Sequence, residues 1–137
     1  MYIASTQIRV RYAETDQMAY VYYGNYAMYY EVARVEALRA LGFSYSELEK
    51  EGIMMPVYEN YSKYHSPAKY DELLTVKVTV PETPKVRMRF KYEIRNEDQK
   101  LINEGTTTLV FIDMKTNKLT RPPHHLSQIL RPYFDEK

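Results

Sequence analysis

Asp16 stands directly before a stretch with helical spacing, in the segment Tyr12-Ala-Glu-Thr-Asp16-Gln-Met-Ala-Tyr-Val-Tyr-Tyr23-Gly-Asn-Tyr26. The first backbone N–H groups of a helix have no partner inside the helix and favour negative charge. A carboxylate beside them can act as base or nucleophile while the N–H groups hold a developing oxyanion. That chemistry needs one carboxylate and one donor about a reacting carbonyl apart. The spacing alone equally fits an ordinary cap or loop acid. Other reactive types are sparse. There is no cysteine, which excludes disulfides, thiolate metal sites and a cysteine nucleophile. His65, His124 and His125 are the only histidines, and they show no zinc-ligand spacing. His124-His125, beside Pro122-Pro123, reads as an exposed loop, and His65 as a strand-end residue. No metal and no cofactor are expected.

The elements around Asp16 follow from periodicity. Gln7 to Tyr12 alternates, with Ile8, Val10 and Tyr12 opposite Arg9 and Arg11, which predicts a strand with one wet face. Ala13 to Asn25 reads as a loop. Apolar residues at Tyr26, Tyr29, Tyr30, Ala33, Ala37 and Leu41 predict a helix stopped by Gly42. Its further apolar positions predict a central helix covered on most sides, with Glu31 as a capping or paired charge. Ser46 reads as the cap of a short second helix ending at Gly52. Strands are expected over Ile53–Tyr64, Leu74–Val80, Val86–Ile94 and Leu101–Asp113, with Gly105 as a bulge, and a short helix over Leu126–Leu130. Short turns imply antiparallel neighbours, so the expected class is α+β: a five-stranded antiparallel sheet around one long central helix.

Composition sets the frame for that reading. The 137 residues suit one domain, 1–137, and 45% hydrophobic residues argue against a disordered chain. Lys+Arg (19) and Asp+Glu (18) nearly cancel, so no basic excess marks a nucleic-acid partner. No apolar run reaches membrane-spanning length and no signal peptide is visible, so no membrane insertion and a cytoplasmic location are expected. Fifteen tyrosines and no tryptophan suit half-buried walls and subunit interfaces, and the apolar surface left by a single helix points to a homodimer or homotetramer.

Two segments resemble the 4-hydroxybenzoyl-CoA thioesterase-like hotdog family, including the acyl-CoA thioesterases encoded near Tol–Pal envelope genes. The first is Glu14-Thr15-Asp16-Gln17-Met18-Ala19, followed by Tyr20-Val21-Tyr22-Tyr23-Gly24-Asn25-Tyr26. The second is Ser66-Pro67-Ala68-Lys69-Tyr70-Asp71-Glu72-Leu73. The resemblance implies a hotdog fold, two protomers pairing their sheets edge to edge, and active sites shared between both chains. It implies that an acyl-CoA substrate is hydrolysed to free acid and CoA. Asp16 is then the catalytic carboxylate, attacking the carbonyl or activating water, and the Tyr23 backbone N–H polarises the carbonyl oxygen. Tyr23, Asn25, Lys85 and Arg87 are implied as substrate-binding, the two cations suiting the phosphates of CoA. Arg87 equally fits the wet face of a strand. Ala19 departs from the family pattern, which usually has glycine there. A binding module for acyl-CoA or acyl-carrier protein, without turnover, is the alternative reading.

Overall fold

The computed structural model describes residues 1–134. Its main sheet has five antiparallel strands in the order β1-β4-β5-β6-β3. They are β1 (Tyr2–Arg9), β3 (Val57–Tyr64), β4 (Leu73–Val80), β5 (Arg87–Arg95) and β6 (Leu101–Val110). A helix, α1 (Tyr26–Arg39), lies across one face. A small second sheet joins β2 (Ile53–Met54), β7 (Ile112–Asp113) and β8 (Lys118–Leu119). Short helices α2 (Tyr45–Lys50) and α3 (His124–Leu130) complete the fold. The architecture is the expected α+β arrangement.

Alternation puts Leu74, Val76, Val78 and Val80 of β4 and Met88, Phe90, Tyr92 and Ile94 of β5 under the helix, all buried. α1 answers with Tyr26, Tyr29, Tyr30, Ala33, Ala37 and Leu38. The Tyr30 and Tyr92 rings stack 4.0 Å apart. The Tyr30 hydroxyl bonds Asn103 Oδ1 and, at 3.0 Å, Ser62 Oγ. Far along the helix, the Tyr2 hydroxyl donates to the Ala37 carbonyl at 2.7 Å. The helix is thus clamped to the sheet at both ends of its buried stripe.

Several local expectations change. The first strand is Tyr2–Arg9, not Gln7–Tyr12, and Tyr12 is exposed in a 3-10 turn over Tyr12–Glu14. Thr6 and the flanking Ser5 and Gln7 hide its alternation in the sequence. Ser44, not Ser46, caps α2 by accepting the Glu47 N–H. The single strand expected over Ile53–Tyr64 breaks into β2 and β3 around Pro56, which has no N–H for a ladder. The strand expected to reach Asp113 ends at Val110, and β7 turns into the small sheet. His124 and His125 open α3 instead of lying in a loop. α1 is buried only on its sheet side, leaving Ala27, Glu31 and Val32 exposed.

Gly105 is not a bulge. It pairs in register with Ser62 on one side and Tyr92 on the other. A Cβ there would collide with the Tyr30 hydroxyl and the Tyr61 carbonyl oxygen. Glycine is required because the helix tyrosine and the neighbouring strand both crowd that position. Gly105→Ala should therefore destabilise the fold by about 2–3 kcal/mol through overpacking, read as a lower urea midpoint. An unchanged midpoint would show that the close approach is not obligatory.

Candidate active site

A buried carboxylate organises the loop between β1 and α1. Glu14 Oε1 accepts the Arg11 N–H at 2.9 Å and the Tyr29 hydroxyl at 2.8 Å, and Oε2 accepts Arg11 Nε at 2.9 Å. Burial alone would raise this carboxyl. The hydrogen bonds from the Arg11 N–H, Tyr29 and the Arg11 guanidinium outweigh it and hold Glu14 below its ordinary value. Tyr29 is displaced the other way, well above the usual phenol range, by burial and by the carboxylate it serves. The proton stays on Tyr29 and the charge on Glu14. The Glu14 carbonyl is used as well, accepting the Tyr22 N–H at 2.9 Å and Asn25 Nδ2 at 2.8 Å.

Two residues beyond Glu14, Asp16 closes a tight turn. Its N–H donates to the Tyr20 carbonyl at 2.8 Å and its carbonyl accepts the Ala19 N–H at 3.0 Å. Its side-chain Oδ1 accepts the Met18 N–H at 2.9 Å and the Tyr20 N–H at 3.3 Å. Oδ2 makes no hydrogen bond among the described residues. One oxygen is therefore fixed and the other presented on the exposed side of the turn. The second sequence segment backs this turn: the Val21 N–H donates to Ala68 O at 2.8 Å and the Tyr70 N–H to Ala19 O at 3.1 Å. The two segments that carry the family resemblance are neighbours in space.

The chain enters α1 through a 3-10 turn at Tyr23–Asn25. Among the described residues, no hydrogen bond uses the N–H of Tyr23 or Gly24. These donors lie at the positive end of the helix, in the segment the Glu14 carbonyl pins. The Tyr23 side chain is exposed and meets Tyr64 edge to face, with ring centroids 6.3 Å apart. Tyr26 also packs on Tyr64, at 5.6 Å, and burial pushes its phenol up to about 12. Asn25 is half-buried with its amide nitrogen bound to the loop.

Lys85 and Arg87 do not join this cluster within one chain. The Arg87 guanidinium sits 4.7 Å from the Tyr58 ring centroid, at the start of β3, whereas Tyr23 and Tyr26 pack on Tyr64 at its end. Those strand ends are about 23 Å apart at the usual rise per residue. Around Lys85 the fold gathers residues that the sequence reading did not place there: Arg121, a second cation, and His124 line a cleft with it. Arg121 is remote in sequence from the 81–84 turn, and no local pattern announces the pairing. His65 faces Glu104, with Nε2 2.7 Å from Oε2. Glu31 makes no ion pair among the described residues.

Ala19 has φ of 63°, in the left-handed region where a Cβ costs about 1–2 kcal/mol. The turn keeps a glycine-type shape without the glycine. Ala19→Gly should raise stability by about 1 kcal/mol, measured as a higher urea midpoint; a lower midpoint would mean that the alanine methyl makes compensating contacts.

Comparison with known proteins finds the same fold and a family. A profile of the thioesterase-like superfamily matches residues 10–130. The DHNA-CoA thioesterase of Staphylococcus aureus is 38% identical, with a TM-score of 0.86 over 100% of this chain and 98% of that one. The acyl-CoA thioester hydrolase YbgC of Escherichia coli O157:H7 is 31% identical over 106 residues, 77% of this chain and 79% of that protein. The 1,4-dihydroxy-2-naphthoyl-CoA thioesterase Slr0204 of Synechocystis shares the fold with a TM-score of 0.89 at 20% identity, over 98% of this chain and 99% of that one. The chain, with its hotdog arrangement of sheet and central helix, belongs to the thioesterase-like superfamily.

Proposed function

We propose that the chain is an acyl-CoA thioesterase whose catalytic carboxylate is Asp16. The observation that carries this reading is a carboxylate pinned through one oxygen, in a turn held by hydrogen bonds beside a helix start with free N–H groups. Similar proteins support the same reading: one is named a DHNA-CoA thioesterase, another an acyl-CoA thioester hydrolase.

In the proposed reaction, Asp16 Oδ2 either attacks the thioester carbonyl carbon or takes a proton from an attacking water. Negative charge on the carbonyl oxygen is met by the Tyr23 N–H, reinforced by the helix dipole. The C–S bond then breaks and CoA leaves as thiolate, which is protonated. By the nucleophilic route, water hydrolyses the resulting mixed anhydride and restores Asp16. Both routes consume one water and yield free acid and CoA. Ala19 adopts the glycine-type conformation, so its departure from the family pattern leaves the turn in place and supports turnover over a binding-only role.

The site is shared between two copies. β3 is an edge strand with Val57, Tyr58, Tyr61 and Tyr64 exposed along it, an arrangement that invites pairing with another strand. Antiparallel pairing of two β3 edges brings the Val57 end of one copy beside the Tyr64 end of the other. The phosphate-binding Lys85 and Arg87 of one chain then serve Asp16, Tyr23 and Asn25 of its partner. That arrangement resolves the separation of these residues within a chain.

Asp16→Asn should retain the far-ultraviolet spectrum and unfolding midpoint of the parent and lose at least about 100-fold in kcat, followed by thiol release from a panel of acyl-CoAs. Undiminished turnover in that variant would remove Asp16 from the mechanism.

A further inference from the structure

The edge strand β3 carries a polar side chain on the side where the sheet meets the helix. Directly paired residues share a face, so the pairs Asn60–Thr107, Ser62–Gly105 and Tyr64–Asn103 put Asn60, Ser62 and Tyr64 on the face that carries α1. Ser62 is held there by the Tyr30 hydroxyl and Asn103, and Tyr64 by the Tyr26 ring. Asn60 is exposed, and its chain neighbours Glu59 and Tyr61 face the other side of the sheet. Asparagine is disfavoured inside strands, yet this one is anchored. Thr107, itself only 1% exposed, donates its hydroxyl to Asn60 Oδ1 at 2.7 Å. The bond holds the carbonyl end of the amide on the inner side. The Nδ2 end is left turned towards the open edge, and among the described residues it makes no hydrogen bond.

We propose that Asn60 is a catalytic residue of the neighbouring copy's site, where its amide joins the Tyr23 N–H in holding the thioester carbonyl oxygen as negative charge develops. The proposal rests on the shared-site thioesterase reading above. Tyr64 is the β3 residue that meets Tyr23 and Tyr26 at the helix start. Within its own chain Asn60 stands about 13 Å from Tyr64 along the strand, at the usual rise per residue. Antiparallel edge pairing shortens that separation. A continuous sheet with both helices on one side requires the helix-facing residues of one β3 to lie opposite those of the other. Overlapping the whole strands then sets Asn60 opposite Ser62 of the second copy. Tyr64 of that copy becomes its diagonal neighbour, about 7–8 Å away. The anchored amide thus reaches the helix start of the second copy, beside the free N–H groups there.

The test follows thiol release from the acyl-CoA panel by Asn60→Ala and Asn60→Asp proteins, with the dimer checked by native mass spectrometry. Asn60→Ala should stay dimeric and lose about 100-fold in kcat, with KM within about two-fold of the parent, as expected for a donor that acts in the transition state. Asn60→Asp keeps the shape of the side chain and the bond from Thr107, but sets a negative charge where the donor stood. It should be no more active than Asn60→Ala, whereas a purely anchoring role for Asn60 would leave it active. Mixing Asn60→Ala with Asp16→Asn protein should restore about one quarter of the wild-type activity, because one site of each hybrid then carries both substitutions and the other none. Undiminished kcat in Asn60→Ala, activity retained in Asn60→Asp, or a loss no larger than the loss of dimer would each overturn the proposal. So would demonstrated hybrids no more active than the two parents together. A wild-type protein that releases no thiol from any acyl-CoA removes the thioesterase reading and Asn60 with it. Turnover that Asn60→Ala matches removes Asn60 alone.

Discussion

The site depends on the ionised Glu14 carboxylate buried between the first strand and the central helix. Its side chain ties Arg11 to Tyr29, and its carbonyl ties Tyr22 and Asn25 to the same point. A charged acceptor in a buried setting fixes its donors more firmly than a neutral one. The consequence is positional. Asp16 follows two residues later, and the free N–H groups at Tyr23 and Gly24 lie between the two donors that reach the Glu14 carbonyl. The carboxylate proposed to react, Asp16, is exposed, and Glu14, which positions the loop, is buried.

The sheet divides the remaining machinery between its two ends. Tyr30 lies over Gly105 and stacks on Tyr92, which fixes the height and register of α1 on the strands. With the helix so placed, its first residues meet Tyr64 and its middle opens on the cavity around Arg34. Lys85 and Arg87 stand at that second end too. A single copy keeps its carboxylate at one end and its cationic groups at the other. The proposed antiparallel association along β3 would reunite them, which makes assembly a condition of the proposed catalysis.

Much of this was legible in the residues. The valine and aromatic alternation of β4 and β5 needs only a period of two, and α1 announces itself by its tyrosine spacing and by Gly42. Asp16 before a helix start was visible as a carboxylate next to free donors. The role of Glu14 was not, because its partner Tyr29 comes from the helix and nothing local distinguishes a buried acid from an exposed one. Gly105 was marked as unusual for the wrong reason: its constraint comes from Tyr30, far away in sequence. The first strand was expected too late, at Gln7–Tyr12, because an edge strand such as β1 tolerates polar residues like Ser5 and Thr6 that blur its start. The burial of Arg34 on α1 comes from the packing of Tyr92 about it, a residue remote in sequence.

The central claim is that one chain's Asp16 works with the other chain's Lys85 and Arg87. Subunit mixing tests it most directly. An Asp16→Asn protein and a Lys85→Glu/Arg87→Glu protein, each nearly inactive at low acyl-CoA concentration, are allowed to exchange subunits. In every hybrid dimer one site would carry all the substitutions and the other none. Random exchange should therefore restore about one quarter of the wild-type activity. Activity no greater than the sum of the two parents, with hybrids demonstrated by native mass spectrometry, would contradict a shared site.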